Sequence, residues 1–533
     1  MRRQAARAAW RLAAVLMVVA LCAPPGGWAA PARELSLAAR IQRVIRRPVF
    51  RHARFGIEFY SLETHRPVYE LNPHELFAPA STTKLLTEGA ALALLGPDYR
   101  FRTPIYRTGP IGPDGRLHGA LVLVASGDPN LSQRIQPDGT LAFQNNDHCY
   151  GGPPVPGYPL VVIEQLARQV AAHGVRRLDG PLLVDATLFP EGKPELGTQT
   201  IISPVVINDN IVDVTAGPGP GIGSQVALHV SPETSYVNFI NRAITGLPGS
   251  EPDIKWSADR ANPDGTHTVT VTGTMPLNGP SAHFPYAIPQ PSRFAQIVLA
   301  AALRKAGVEV SRKCLSGPAP NFKALSASYT PQNLLAEHVS PPFFQDVRLT
   351  LKVSQNLHAS LMPYILGAVL AHATQNIDQA GFDLERRFLE MAGLDLSGAS
   401  QSDGAGGSGA ALFTPDFMVQ YLAYVHRQKY FPQLFAGLPV LGIDGTLADI
   451  QRRSPAAGHI FAKTGTFDLY DELNRNDMVT AKGLAGYLTT RDGRLLTFAI
   501  YVNEVAVPGH GALIDKIVGE ALGEIATAAY LAP

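Results

Sequence analysis

The sequence predicts an α/β (α+β) fold, with helices packed on an antiparallel sheet and a large β-rich region inserted into the chain. Strands and an apolar helix lie near the start, and helices followed by strands return after about Asp346. Between them, from about Arg102 to Pro342, short alternating strands are separated by Pro- and Gly-rich turns. A core sheet built from both ends of the chain is therefore expected.

This pattern predicts three parts. Residues 1–32 form a signal peptide, residues 33–101 and 345–533 form one domain, and residues 102–344 form the inserted β-rich domain or domains. The chain has 533 residues, which exceeds one ordinary core. Its apolar content of 46%, charged content of 17% and net charge of +1 fit a globular protein. This balance gives no electrostatic basis for binding nucleic acid.

The first residues have the pattern of a secretory signal. Four arginines precede the apolar run Leu12–Ala23, and Pro24-Pro25-Gly26-Gly27 then break it before small residues that offer a cleavage site near Ala32. The pattern predicts export and a periplasmic location. The run is short for a bilayer span, but retention as an anchor, with peripheral membrane association, stays open.

Cysteine is scarce in the remaining chain. After loss of Cys22 with the signal, Cys149 and Cys314 remain, and we hypothesise that they pair in an oxidising compartment. Asp147-His148-Cys149 has an alternative interpretation as metal ligands. No second cluster follows at ligand spacing, so the sequence predicts no metal site.

The early elements are short and amphipathic. Leu35–Arg46 reads as a helix, Phe55–Ser61 as a strand, and a second strand is expected near Val68-Tyr69. In the inserted region, the strands and helices that stand out are Leu121–Val124, Leu160–His173, Gln225–Val230, Thr266–Thr274 and Arg293–Ala306.

The stretch Ser81-Thr82-Thr83-Lys84 opens a long apolar helix that runs to Leu95 and ends at Gly96-Pro97. Residues at i and i+3 are neighbours on a helix, so the Lys84 amine is expected beside the Ser81 hydroxyl. A desolvated Lys can take the proton of a Ser and make it a nucleophile. A chain this long gives roughly two such S-x-x-K matches by chance, so the motif needs partners.

The returning half is predicted to begin with helices and end with strands and a last helix. The predicted elements are Asp346–Ala371, Asp378–Met391, Thr414–Arg427, His459–Thr464, Gly483–Thr489, Leu495–Val502 and Ala512–Leu531.

Two further motifs lie in this half. In Ser354-Gln355-Asn356, a hydroxyl and an amide two residues apart would point to different faces of a regular helix, so one site requires a turn or a helix end. In Lys463-Thr464-Gly465-Thr466, a strand carries a Lys suited to an anion and a Gly that admits a substrate close to the strand edge.

In this order, S-x-x-K, S-x-N and K-T-G are the set described for penicillin-binding proteins and class A β-lactamases. The chain resembles the low-molecular-mass class C penicillin-binding proteins, which act as D-alanyl-D-alanine carboxypeptidases and endopeptidases. Further matching stretches are Leu76–Arg102, Ser126-Gly127-Asp128-Pro129, Asp403-Gly404 and Asp444-Gly445-Thr446-Leu447. The long interval between the first two motifs also fits that family, and the resemblance implies the penicillin-binding protein/β-lactamase-like transpeptidase fold.

The resemblance implies acyl transfer at peptidoglycan stem peptides, with β-lactams as covalent inhibitors. Ser81 would be the nucleophile and Lys84 its base, and Ser354 would relay a proton to the leaving amine, with Asn356 positioning substrate and relay. Backbone N–H groups of Ser81 and Thr466 would form the oxyanion hole. The substrate carboxylate would be held by Lys463 and Thr464, with Gly465 in the same substrate-binding strand. The mechanism uses no metal or organic cofactor.

Some positions depart from the family pattern. Gln355 stands where Asp is commonest, and His358 and Ser360 replace a Tyr and an acidic residue. The stretch Phe467–Lys482 is longer and more acidic than usual. These differences bear on substrate preference. The sequence leaves open the balance between carboxypeptidase and endopeptidase, and the alternatives of a catalytically silent cell-wall scaffold, a β-lactamase or an esterase.

Overall fold

The computed structural model describes residues 35–407, 409, 411–509, 511 and 513–532. The predicted signal peptide, residues 1–32, lies outside this range. Among the described residues, no helix is both long enough and apolar enough to cross a membrane.

The strands, numbered in chain order, are β1 Arg54–Ser61, β2 Arg66–Leu71, β3 Arg102–Arg107, β4 Arg116–Leu117, β5 Leu121–Val124, β6 Arg177–Leu178, β7 Leu182–Asp185, β8 Ile211–Gly217, β9 Ala227–Ser231, β10 Val237–Asn241, β11 Ile244–Gly246, β12 Asp253–Ala261, β13 His267–Pro276, β14 Ala282–Ala287, β15 Leu334–Val339, β16 Ala399–Ser400, β17 Leu412–Phe413, β18 Ile460–Asp471, β19 Asn476–Thr489, β20 Leu495–Asn503 and β21 Val505–Val507.

The α-helices are α1 Leu37–Ile45, α2 Lys84–Leu95, α3 Val161–Ala172, α4 Pro291–Lys305, α5 Phe322–Leu325, α6 Phe343–Val353, α7 Asn356–Val369, α8 Ile377–Met391, α9 Pro415–His426, α10 Phe431–Gly437 and α11 Glu520–Tyr530. A 3₁₀ turn, Ala80–Thr83, leads directly into α2, and a π-helical turn, Asp515–Gly519, leads into α11.

The main sheet joins the two ends of the chain. Its strand order is β18-β19-β20-β1-β2, with β21 also paired to β19, and these pairs are antiparallel. Strands from the early segment and from the last quarter of the chain therefore lie side by side. This arrangement confirms the predicted α+β class.

Two apolar cores lie against this sheet. One packs α1 and α11 on one side, and the other packs the helices α2, α6, α7, α9 and α10 on the opposite side. Alternation along β1 explains the division, because Ile57 and Phe59 belong to the first core and Tyr60 to the second. Burial of apolar surface on both faces is the main favourable term for such a layered fold.

The inserted region builds its own sheets and core. Strand orders are β15-β3-β5-β7, β14-β8-β9 and β10-β13-β11 with β12 on β13, and several of these pairs are parallel. The core packs α3 and α4 against residues from Ile105 to Ala336. The β-rich insertion is therefore present, while its exact boundaries at 102 and 344 stay a prediction.

Most predicted elements are found within a few residues, with two exceptions. Strands β18 and β19 each extend seven residues beyond the predicted His459–Thr464 and Gly483–Thr489, so most of the acidic Phe467–Lys482 stretch is paired in their hairpin. The stretch Asp346–Ala371 was expected to be one helix, but the structure divides it into α6 and α7 at Ser354-Gln355. Ser354 has φ +63° and ψ +36°, a left-handed conformation that ends α6. The S-x-N motif thus occupies the helix end that its spacing requires.

The hypothesis that Cys149 and Cys314 pair is wrong in this structure, because both are free and buried. Cys149 lies at the boundary with the main domain, where Gln355 Nε2 is 3.2 Å from its sulfur. Cys314 is in the core of the insertion, 3.5 Å from the Leu178 carbonyl oxygen. Each thiol is surrounded by a different part of the fold, so no bond between them can form without rearrangement.

Candidate active site

The turn Ala80–Thr83 presents Ser81 at the beginning of α2. Lys84 Nζ lies 2.8 Å from Ser81 Oγ, as the i, i+3 spacing predicts. Ala80 has φ +46°, a conformation that costs a non-glycine residue roughly 1–2 kcal/mol. The hydroxyls of Thr82 and Thr83 stabilise this turn by donating to Pro79 O and Ala80 O.

Lys84 is completely buried and contacts three acceptors. Besides Ser81, its amine donates to Asn356 Oδ1 at 2.6 Å and to the Ala405 carbonyl at 3.0 Å. Burial lowers the pKa of Lys84 to about 8, against the opposing charges of Glu195, Asp403 and Glu88. About one amine in ten is therefore neutral at pH 7, and the neutral form is the one that a general base for the Ser81 hydroxyl requires.

Ser354 faces Lys463 across the cleft. Lys463 Nζ donates to Ser354 Oγ at 2.8 Å and to the Thr464 carbonyl at 2.7 Å. Burial, together with the nearby charges of Lys84 and Lys482, holds the pKa of Lys463 well below its usual range. A hydroxyl in contact with this amine can pass a proton onward.

The strand that carries the K-T-G motif approaches the nucleophile turn very closely. A Cβ atom placed on Gly465 would lie 2.4 Å from Pro79 O and 3.0 Å from Ser81 N. Only glycine fits there without a shift of the backbone. The Thr464 hydroxyl donates to Thr446 Oγ1 at 2.7 Å, which connects the strand to the Asp444–Leu447 loop.

A cleft of about 640 Å³ joins these motifs. Of the eight residues predicted from the sequence, five line it, and Lys84, Lys463 and Gly465 lie directly behind its wall; the lining five are Ser81, Ser354, Asn356, Thr464 and Thr466. The structure thus brings the three separate motifs to one place.

The insertion supports the site from one side. Gln355 uses both ends of its amide: Oε1 accepts from Leu357 N at the start of α7, and Nε2 donates to Asp147 Oδ1 at 3.3 Å and to Cys149 Sγ at 3.2 Å. Tyr150 donates its hydroxyl proton to the Ser354 carbonyl at 2.6 Å. The middle residue of S-x-N therefore connects the main domain to the inserted region.

A buried ionic cluster lies behind this contact. His358 on α7 has Nδ1 2.8 Å from Asp346 and Nε2 3.0 Å from Asp209 of the insertion. Although burial lowers the pKa of His358, the two carboxylates raise it to about 10. The protonated ring thus joins α6, α7 and the insertion through charged hydrogen bonds.

The same cluster contains the residues that were considered as metal ligands. Ligand atoms of Asp147, His148, Cys149 and Asp209 all lie within 4.8 Å of one another. Arg134, however, donates to Asp147 at 2.5 Å and to Asp209 at 2.7 Å, so a guanidinium already binds both carboxylates. Burial raises the pKa of the Cys149 thiol to about 12, which keeps it protonated.

Several of these residues could not be recognised from the sequence. Tyr150, Asp209 and Arg134 stand in no motif, and their partners are distant in the chain. Asp403 was noted only as part of a matching loop, and its carboxylate accepts backbone N–H groups that shape the loop carrying Ala405 O. The sequence signal for this contact is the departure from the family pattern at Gln355 and His358, because both side chains contact the insertion.

Comparison with known proteins agrees with this geometry. A profile of the D-Ala-D-Ala carboxypeptidase 3 (S13) family matches residues 37–520. A D-alanyl-D-alanine carboxypeptidase from an Actinomadura species is 27% identical, with 97% of this chain and 91% of that protein aligned. A penicillin-sensitive carboxypeptidase A from Dictyostelium discoideum is 24% identical over 75% of this chain and 74% of its own.

The fold is also found in a solved structure. Penicillin binding protein 4 from Haemophilus influenzae aligns with a TM-score of 0.70 at 19% identity, covering 93% of this chain and 98% of that one. The same protein has been solved in complex with a β-lactam, and that structure aligns with a TM-score of 0.67.

Proposed function

The chain belongs to the D-Ala-D-Ala carboxypeptidase 3 (S13) family, and from that premise we propose that it is a serine D,D-peptidase of peptidoglycan stem peptides. In this role it removes a terminal D-Ala, opens D,D-cross-links, or does both, through an acyl-enzyme on Ser81. β-Lactams acylate the same hydroxyl.

The observation that carries the proposal is the position of Lys84. Its amine contacts Ser81 Oγ from the first motif and Asn356 Oδ1 from the second, while Ser354 Oγ contacts Lys463 of the third. Nucleophile, base and proton relay are thus within hydrogen-bond distance in one cleft. The hydrogen-bond geometry fits general-base catalysis of acyl transfer.

The proposed reaction has two halves. Lys84 takes the Ser81 proton as the oxygen attacks the carbonyl of the penultimate D-Ala, and Ser354 delivers a proton to the leaving amine. Backbone N–H groups of Ser81 and Thr466 stabilise the oxyanion, each contributing about 3 kcal/mol. Water then hydrolyses the ester. Thr464 lies on the cleft wall where the substrate carboxylate binds, and Lys463 contacts the Ser354 relay behind it.

Fluorescent penicillin labelling, followed by an assay on a muropeptide ending in D-Ala-D-Ala, tests the function. We expect a stable label and release of D-Ala from the monomer, or of separate stem peptides from the cross-linked dimer. A scaffold would not label, and a β-lactamase would release the drug quickly; either result contradicts the proposal. Export is a separate proposal, checked by sequencing the amino terminus of protein recovered from the periplasm.

A further inference from the structure

Lys482 lies beside the three motifs but belongs to none of them. It sits on β19 directly opposite Thr466 of β18, so both side chains project from the same face of the sheet. Its side chain also lines the cleft that contains Ser81 and Thr464.

The contacts of Lys482 are those of an anion-binding cation. Nζ donates to Thr466 Oγ1 at 2.6 Å and also contacts the Asp515 carboxylate. An ammonium has three N–H donors, so one has no acceptor among the described residues. Only 5% of the Lys482 side chain is exposed, whereas 70% of the Asp515 side chain is exposed. The cation is therefore fixed in the cleft wall, and its acidic partner is on the solvent side.

Lys463 has a different environment. It is fully buried, and its amine is occupied by Ser354 Oγ and the Thr464 carbonyl. Its pKa is held well below the usual range by burial and by the charges of Lys84 and Lys482. These contacts suit it to the proton relay behind Ser354. The Lys482 amine, in contrast, contacts a carboxylate at the cleft, that of Asp515.

A substrate lying along β18 places its terminal carboxylate near this amine. With the scissile carbonyl at Ser81 and Thr466 N, the carboxylate is one residue further along, and neighbouring Cα atoms are about 3.8 Å apart. The next side chain on this face of the hairpin is that of Lys482. In the free enzyme a carboxylate already occupies this position, because the Lys482 amine contacts both the Asp515 carboxylate and the Thr466 hydroxyl.

We propose that Lys482, with the Thr466 hydroxyl, binds the carboxylate of the departing carboxy-terminal residue and makes the enzyme specific for peptides with a free terminus. The inference rests on the proposed function. In the free enzyme the Asp515 carboxylate is paired with the Lys482 ammonium, and the substrate carboxylate displaces it. The pair thus keeps a buried cation neutralised until an anion arrives.

The test compares a D-Ala-D-Ala peptide acid with its carboxy-terminal amide. Lys482→Met should lower kcat/KM for the acid at least about thirtyfold, mainly through KM, and should lower the acid-to-amide ratio at least about tenfold. Lys482→Arg should stay within about fivefold of wild type, because a guanidinium also binds a carboxylate. Asp515→Asn should lower KM about threefold by removing the competing anion.

Lys516→Met is the matched control, since it removes an equal charge from an exposed neighbour of Asp515 and should leave both substrates unaffected. Thermal unfolding of each variant detects loss of fold. Equal losses of acid and amide activity in Lys482→Met, or a raised KM in Asp515→Asn, would overturn the proposal while wild-type labelling and hydrolysis keep the proposed function intact. If the wild-type protein showed neither penicillin labelling nor peptide hydrolysis, both the proposed function and the role of Lys482 would be rejected.

Discussion

Tyr150 of the inserted region donates its hydroxyl proton to the main-chain carbonyl of Ser354 at 2.6 Å. Ser354 is held at φ +63°, a backbone conformation that is unfavourable for a residue with a side chain. A residue about two hundred positions away thus helps to fix the hydroxyl that faces Lys463. The insertion therefore has a direct contact with the catalytic groups.

Tyr150→Phe is expected to slow penicillin acylation about two- to tenfold. It removes one hydrogen bond, worth roughly 0.5–1.5 kcal/mol, and keeps the ring. The measurement is the second-order rate of acylation by stopped-flow quenching. Tyr158→Phe, at an exposed ring in the inserted region, is the control and should leave the acylation rate unchanged. An unchanged rate in Tyr150→Phe would show that Ser354 does not depend on this contact.

Ser81→Ala should abolish the covalent β-lactam adduct. Wild-type protein is expected to gain one drug mass, because Ser81 is the hydroxyl in contact with the buried Lys84 amine. Intact-mass spectrometry after incubation measures this directly. Thr83→Ser, at a buried hydroxyl that donates to Ala80 O, serves as a control that should still acylate. An adduct formed at full yield in Ser81→Ala would rule out Ser81.

Lys84 is expected to act as a neutral amine. Burial lowers the pKa of Lys84 to about 8, so the acylation rate should rise with pH through about 8 and then level. Lys84→Arg should lose acylation almost as fully as Lys84→Ala, because a guanidinium stays protonated. If Lys84→Arg acylates within about tenfold of wild type, about 1.4 kcal/mol in barrier, Lys84 is a fixed charge.

His358→Gln should destabilise the protein by about 3–5 kcal/mol at pH 6, because the buried Asp346 carboxylate loses its charged partner and the buried Asp209 carboxylate loses one of its charged partners. The net effect of burial and of Asp346 and Asp209 is to raise the pKa of His358 to about 10. The stabilisation of the folded protein by the charged His358 ring is therefore complete below about pH 6.5 and is lost as pH rises through about 10.

Urea unfolding of wild type and His358→Gln at pH 6, 8 and 9.5 measures this difference. The gap between their free energies of unfolding should be largest at pH 6 and should narrow toward pH 9.5. His52→Gln, at an exposed ring, should show no gap. A gap that widens with pH would mean that the His358 ring is neutral in the folded protein.

Cys149 and Cys314 should both titrate as free thiols. Protein lacking residues 1–32, unfolded without reductant, is expected to give two reactive thiols, because each cysteine is buried in a different part of the fold. A thiol-reactive chromophore counts them, and Cys314→Ser should reduce the count to one. A count of zero thiols for the parent protein would show that Cys149 and Cys314 form a disulfide.

The sequence by itself determined the features that depend on short spacing. The i, i+3 relation brings Lys84 to Ser81, and short apolar runs predict β1, β20 and the second half of β19. The order of the three motifs indicated the family and its fold. These relations are set by the local geometry of a helix or a strand, which each segment encodes independently of its partners.

The tertiary structure alone decided what joins distant segments. The helix predicted over Asp346–Ala371 breaks at Ser354, whose left-handed backbone accepts a hydrogen bond from Tyr150 and whose hydroxyl accepts one from Lys463. The two cysteines lie in separate environments, and Lys482 is placed beside Thr466 by the register of the hairpin. No local pattern specifies such contacts, because they arise only when helices, sheet and insertion pack together and bury their polar groups against one another.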